Sequence, residues 1–81
     1  MTHELMARLL EAADVQLEAV HVASLREEVF YAVVKLRRGD EGREVDARPS
    51  DAIALALRTR APIYATDEVL YKAGKPAPGE L

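Results

Sequence analysis

Six consecutive apolar residues, Ala52-Ile53-Ala54-Leu55-Ala56-Leu57, sit inside a segment that otherwise reads as a helix, and they leave it no polar stripe along its middle. A helix apolar all round has to be covered on more than one side. That demand falls heavily on a chain of 81 residues, which buries a limited fraction of its surface. Signals on either side fix the ends of the run. Val45-Asp46-Ala47-Arg48 alternates as a strand, Pro49 and Ser50 turn the chain, and the helix is expected from about Asp51 to Arg58. Proline suits a first helical turn because its missing N–H would have no partner there, and Ser50 and Asp51 are cap-type residues. The chain then returns through Ala61-Pro62 into a short strand, Ile63 to Ala65.

The rest of the chain offers a helix and a sheet to pack against it, and a second copy is expected to supply the remaining cover. Thr2 is placed to cap a first helix, with Glu4 in its opening turn where a carboxylate suits the helix dipole. Leu5, Met6, Leu9, Leu10 and Ala13 recur at helical spacing, Asp14 ends the segment, and Arg8 and Glu11 mark its solvent face. Val15 to Ser24 reads as a strand and Leu25-Arg26-Glu27-Glu28 as a turn. Val29 to Arg38 is the clearest strand, with Phe30, Ala32, Val34 and Leu36 on one face and Val29, Tyr31 and Val33 on the other. Apolar residues on both faces argue for a central strand, or for one with a partner on its second face. Gly39-Asp40-Glu41-Gly42 is a hairpin loop, and Arg43 to Arg48 pairs back with Val45 and Ala47 inward and Glu44, Asp46 and Arg48 outward. Thr66-Asp67-Glu68 opens a last helix, Val69 to Ala73, which Gly74 is placed to end. The expected fold class is α+β in the order α-β-β-β-α-β-α, a mostly antiparallel sheet built on a three-strand meander with packed helices. Residues 1–74 form one domain and 75–81, with two prolines and a glycine, a flexible tail.

Composition narrows the function classes. Cysteine is absent, which removes disulfides, thiolate metal sites and thiol nucleophiles and fits a reducing, cytoplasmic setting. No stretch reaches the roughly 18–20 apolar residues of a membrane span. Net charge is −3, opposite in sign to the usual footprint of a nucleic-acid binder. The middle departs from that average: residues 35–60 hold seven basic and five acidic side chains. Lys35, Arg37, Arg38 and Arg43 cluster around the hairpin, where they either meet nucleic-acid phosphates or line an exposed loop. The three tyrosines and one phenylalanine do not interleave with them, so no base-stacking platform is visible.

Phosphate-loop, dinucleotide-binding and zinc-ligand motifs are all missing. The one dense polar cluster is Asp46, Arg48, Ser50 and Asp51. Read functionally, Asp46 and Asp51 are carboxylate ligands for Mg²⁺ or Mn²⁺, which prefer oxygen, and Arg48 holds a phosphate by its fork. Such an ion could activate water for phosphodiester hydrolysis. Read structurally, Ser50 or Asp51 caps the helix, and Arg48 pairs with Asp46 or Asp51 to brace the turn. His3 with Glu4 is either an acid/base or metal-ligand pair or a solvated first turn. His21 reads as a sheet histidine.

The run Val45-Asp46-Ala47-Arg48-Pro49-Ser50-Asp51-Ala52-Ile53-Ala54-Leu55-Ala56-Leu57-Arg58, followed by Ala61-Pro62-Ile63-Tyr64, resembles the signature of the bifunctional nuclease domain family. Thr2-His3-Glu4-Leu5-Met6, Phe30-Tyr31-Ala32, Glu68-Val69-Leu70 and Ala73-Gly74 match as well, so the resemblance covers residues 1–74. It implies a compact α+β fold, association into homodimers or larger oligomers, and nuclease activity on RNA and DNA. At matched positions, Asp46, Arg48, Ser50 and Asp51 are the polar part of the signature and the catalytic candidates. The family's domains carry further strands and a helix ahead of the Thr2–Met6 segment. By that comparison this chain resembles the C-terminal portion, a truncated domain, and active-site residues in the other part would be missing from it. Two expectations follow: a nuclease, complete or incomplete, and alternatively a non-catalytic homodimerising module.

Overall fold

The computed structural model describes residues 1–26, 29–67 and 69. Its elements run α1 (His3–Ala12), β1 (Gln16–Arg26), β2 (Val29–Arg38), β3 (Glu41–Ala47), α2 (Pro49–Thr59) and β4 (Ile63–Ala65). The expected α+β order holds through β4. Most of the expected last helix lies outside the described residues; of its start, the Val69 N–H donates to the Thr66 hydroxyl at 3.3 Å.

One four-stranded sheet carries the fold in the order β3-β2-β1-β4. The β1–β2 and β2–β3 pairs are antiparallel, which is the expected meander, and β4 lies parallel to β1 on the far edge. A parallel neighbour needs a crossover between its strands, and α2 supplies that crossing from β3 to β4. Two local expectations are corrected. The turn proposed at Leu25–Glu28 starts later, because β1 runs through Arg26, which pairs with Val29 across a register shift, while Glu27 and Glu28 lie outside the described residues. The hairpin loop shortens from four residues to two, because Arg38 and Glu41 already pair. Gly39, at φ 61°, takes the first central position, where a tight hairpin turn of the II′ kind favours glycine.

Helix ends explain the lengths of α1 and α2. The Thr2 hydroxyl accepts from the Leu5 N–H at 3.1 Å, as expected of an N-cap. Asp14, at φ 59°, closes α1, with the Val15 N–H reaching the Leu10 carbonyl at 2.8 Å. Helix α2 begins two residues earlier than expected, because Pro49 itself takes the first helical position after an extended Arg48. It ends at Arg60, in the left-handed region at φ 61°, where the Ala61 N–H returns to the Ala56 carbonyl at 2.9 Å. Both endings are Schellman-type caps built without the usual glycine.

The core lies between the sheet and α2. Val20 and Val22 of β1, Ala32 and Val34 of β2, and Ala52 and Ala56 of α2 form its buried cluster, joined by Val69. Strand alternation behaves as the sequence demands: Ala32 and Val34 face the helix and Val29, Tyr31 and Val33 face away. The opposite face therefore bears Val33 with His21, Tyr64 and Asp46, one from each strand across the sheet. The apolar run of α2 is covered by the sheet and by α1 along most of its length, with Ile53 and Ala54 half-buried. Ala52, Leu55 and Ala56 are buried, whereas Leu57 is 69% exposed. Helix α1 buries none of its residues, and Leu5 and Leu9 are about half exposed. Among the described residues, no helix is long and apolar enough to cross a membrane.

Candidate functional site

Helices α1 and α2 lie side by side with their N-termini at the same end. At that end, His3 Nε2 stands 3.2 Å from Asp51 Oδ1. At the other end, Leu10 and Glu11 share a cleft with Arg58 and Thr59. The His3–Asp51 contact joins residues 48 apart in sequence, and no local spacing announces it. A carboxylate only accepts, so Nε2 carries the proton of that bond, and in the neutral ring Nδ1 holds the lone pair. Arg48 takes the other carboxylate oxygen, with Nε at 3.0 Å and Nη2 at 2.9 Å from Asp51 Oδ2. Asp51 is thus gripped from both sides, by a guanidinium three residues earlier and by an imidazole from the other helix.

This grip sets the charge of the site. The Arg48 hydrogen bond, and after it the His3 bond, hold the Asp51 carboxyl below the usual carboxylate range. A carboxyl whose folded pKa is depressed stabilises the fold above its unfolded pKa, and that contribution fades as pH falls through the folded value. Wild type is accordingly expected to lose more stability than Asp51→Asn as pH drops below about 4. Urea midpoints of the two proteins across that range check this.

The other polar members of the signature are placed apart. Asp46 pairs in register with Val33, on the sheet face turned away from the helices, while Asp51 sits with the helices beside Val45 and Ala47. That separation does not fit one ion bridging the two carboxylates. Among the described residues, no group of three or more His, Asp or Glu side chains is arranged to hold a metal ion. Ser50 is exposed in the first turn of α2, and no side chain caps that helix. Arg48 does not project outward with Asp46 but turns along the helix to Asp51. Glu4 is tied to Arg8 on its own helix at 3.1 Å and does not join His3.

Three of the four hairpin cations have acidic partners. Lys35 meets Glu44 at 3.9 Å, Arg43 meets Glu41 at 3.3 Å, and Arg37 bonds Glu18 across the β1–β2 pair. The Arg37 bond lowers the Glu18 pKa and raises that of Arg37. Arg38 is exposed and forms no ion pair among the described residues. His21, read as a sheet histidine, stacks on Tyr64 with ring centroids 5.0 Å apart. Sheet pairing also places Tyr31 on that same face, which reading the aromatics along the chain did not reveal.

Comparison with known proteins places this sequence in a family. The model of the bifunctional nuclease domain matches residues 1–78. Two uncharacterized proteins of Mycobacterium tuberculosis, one from each of two strains, are 40% identical to the chain over 80 residues. The match takes in 99% of this chain and 47% of each relative, so the chain spans about half the length of the curated relatives it matches. The match runs through both helices, all four strands and the residues that meet at Asp51. The chain belongs to the bifunctional nuclease domain family.

Proposed function

We propose that the chain hydrolyses phosphodiester bonds of RNA or DNA at the cluster of His3, Asp51 and Arg48. The observation that carries this reading is the convergence of an imidazole, its carboxylate partner and a guanidinium at one helix junction, in a chain of a family whose name is a nuclease's. Asp51 holds His3 Nε2–H, leaving Nδ1 to take a proton from an attacking water. The water oxygen bonds to phosphorus, the P–O bond to the leaving nucleotide breaks, and that oxygen takes a proton from solvent. Arg48 has N–H donors beyond the two spent on Asp51, and these suit a non-bridging phosphate oxygen. Its side chain is 81% exposed, which leaves them accessible. We place this activity in a reducing cytoplasm, which the absence of cysteine favours.

The test is cleavage of end-labelled single-stranded RNA and DNA by wild type, His3→Ala, Asp51→Asn and Asp46→Ala, with Mg²⁺, Mn²⁺ or EDTA. The expected result is loss in the first two variants and none in Asp46→Ala. Equal rates in all four proteins would remove the site assignment, and the EDTA arm reads any metal requirement.

A second reading, a homodimerising module, is favoured by the apolar surface on the helix side. Leu5, Leu9 and Val45 are exposed there, next to an apolar groove lined by Met6, Leu10, Leu36 and Leu55. Burying a leucine is worth about 1.5–3 kcal/mol, so a second copy laid on this side would add substantially to a small fold. Sedimentation equilibrium at micromolar concentration is expected to give a dimer that Leu5→Glu dissociates. A wild-type monomer would contradict this reading and leave the cleavage test untouched.

A further inference from the structure

Helix α1 meets the rest of the molecule along a single stripe. His3, Met6, Ala7 and Leu10 are its half-buried residues, and their spacing puts them on one helical face. No residue of the helix is fully buried. Among the described residues, neither the buried cluster of the core nor the half-buried side chains packed against it include one from α1. Space remains on both flanks of the stripe. Beside Met6 and Leu10, the apolar groove leaves about 160 Å³ over Val34, Val45 and Leu55. Beside Ala7 and Leu10, an open cleft of about 660 Å³ reaches Leu17, Arg58 and Thr59. Among the described residues, the side-chain hydrogen bond that ties α1 to another element is His3 to Asp51 at 3.2 Å. The Glu4–Arg8 pair stays within the helix.

We infer that α1 docks and undocks as a unit while the sheet and α2 stay folded, making and breaking the His3–Asp51 contact as it moves. Segments with few buried apolar contacts open well below the free energy of global unfolding, and α1 is such a segment. Its departure leaves the buried cluster of β1, β2 and α2 whole. Ten residues fall short of the roughly 12–15 that an isolated helix needs in water, so α1 melts when it leaves and re-forms when it docks. The pivot is the short link from Ala13 to Val15, with Asp14 in the left-handed region at φ 59°. His3 heads the docking stripe, whereas Asp51 and Arg48 stand on the other side of the joint. Docking therefore assembles the cluster and undocking dismantles it. This device rests on the nuclease reading only for calling the assembled cluster active, in which case the docked fraction sets the fraction of chains able to cleave. The motion is measured without substrate, so an absence of cleavage leaves it standing.

Native-state hydrogen exchange of the full chain, read amide by amide in sub-denaturing urea, tests it. The amides of Ala7 to Ala12 are expected to be protected, yet to open more readily than those of Val20, Val22, Ala32 and Val34. Their urea dependence should also be shallower, because less surface is exposed when one helix leaves. His3→Ala and Asp51→Ala are each expected to speed the α1 amides about 2- to 12-fold, the worth of one hydrogen bond. The double variant should go no further than the single ones, since all three remove the same contact. Three results would overturn the inference. Equal opening free energy and urea slope in α1 and in the strands would mean that the helix leaves only with the whole fold. Unprotected α1 amides in wild type would mean that it is not docked in solution. Unchanged α1 rates in both single variants would separate docking from the contact between His3 and Asp51.

Discussion

His3→Ala is expected to slow phosphodiester cleavage by about 10²- to 10⁴-fold, the range over which a positioned general base contributes. The loss should fall on kcat, because the ring acts on the attacking water and Arg48 retains its hold on phosphate. Asp51→Asn tests the same contact from the other side. Asparagine can still meet His3 through its carbonyl oxygen, but it no longer offers charge to the imidazolium that forms as the proton is taken. Its loss should therefore be smaller than that of His3→Ala, and the two losses should not add in the double variant, because they remove one unit. Steady-state rates of the two single variants and the double variant decide this. Additive losses would mean that the 3.2 Å contact joins two helices without serving the reaction.

Leu55→Ala is expected to destabilise the chain by about 2–5 kcal/mol, the usual cost of emptying a buried leucine site. Leu55 is 6% exposed, on the sheet side of α2, beside the apolar groove that Val34, Val45 and Ala47 also line. The buried cluster is made of valines and alanines, so few large side chains can move in to fill the gap. Stability for a chain of this length is on the order of 4–12 kcal/mol, and such a loss brings it near unfolding. Leu57→Ala, two residues on and largely exposed, should cost no more than about 0.5 kcal/mol in a monomer. Urea melts of both variants separate the inward from the outward side of the apolar run. A large effect of Leu57→Ala at dimer-forming concentration, absent on dilution, would show that a second copy covers it.

The sequence made much of the fold legible, for definite reasons. Alternation in Phe30-Tyr31-Ala32-Val33-Val34 fixes which face of β2 meets the helices, and the meander follows from that alternation and the glycine at position 39. The capping role of Thr2 and the closing role of Asp14 were also readable, since both rest on local backbone chemistry. The side of α2 that faces the sheet was not. A run apolar at every position has no periodicity, and only the packing shows Leu55 inside and Leu57 outside. The parallel pairing of β4 with β1 was equally hidden, because it depends on where the crossover helix lands.

The candidate site divides in the same way. Arg48 and Asp51 are three apart at a helix start, so the brace between them was among the readings their spacing allowed. Asp46, grouped with them by closeness in sequence, is turned to the other face by the one-residue alternation of β3. His3 was placed with Glu4, its neighbour in the chain, whereas the fold gives it to Asp51 on the next helix. Arg58 and Arg60 lie far in sequence from the hairpin cations, and only the fold shows that the cleft they line meets that of Lys35, Arg37 and Arg43 at Glu18.

The most direct test of the account is the pH–rate profile for cleavage of a labelled single-stranded oligonucleotide by wild type and His3→Ala. With His3 as the base, only the ring free of its second proton can act, so from acid to neutral pH the wild-type rate should climb to a plateau. The variant should be slow at every pH and lack that rise. A wild-type rate independent of pH across this range, or a variant as fast as wild type, would contradict the central claim that His3, held by Asp51, carries the reaction.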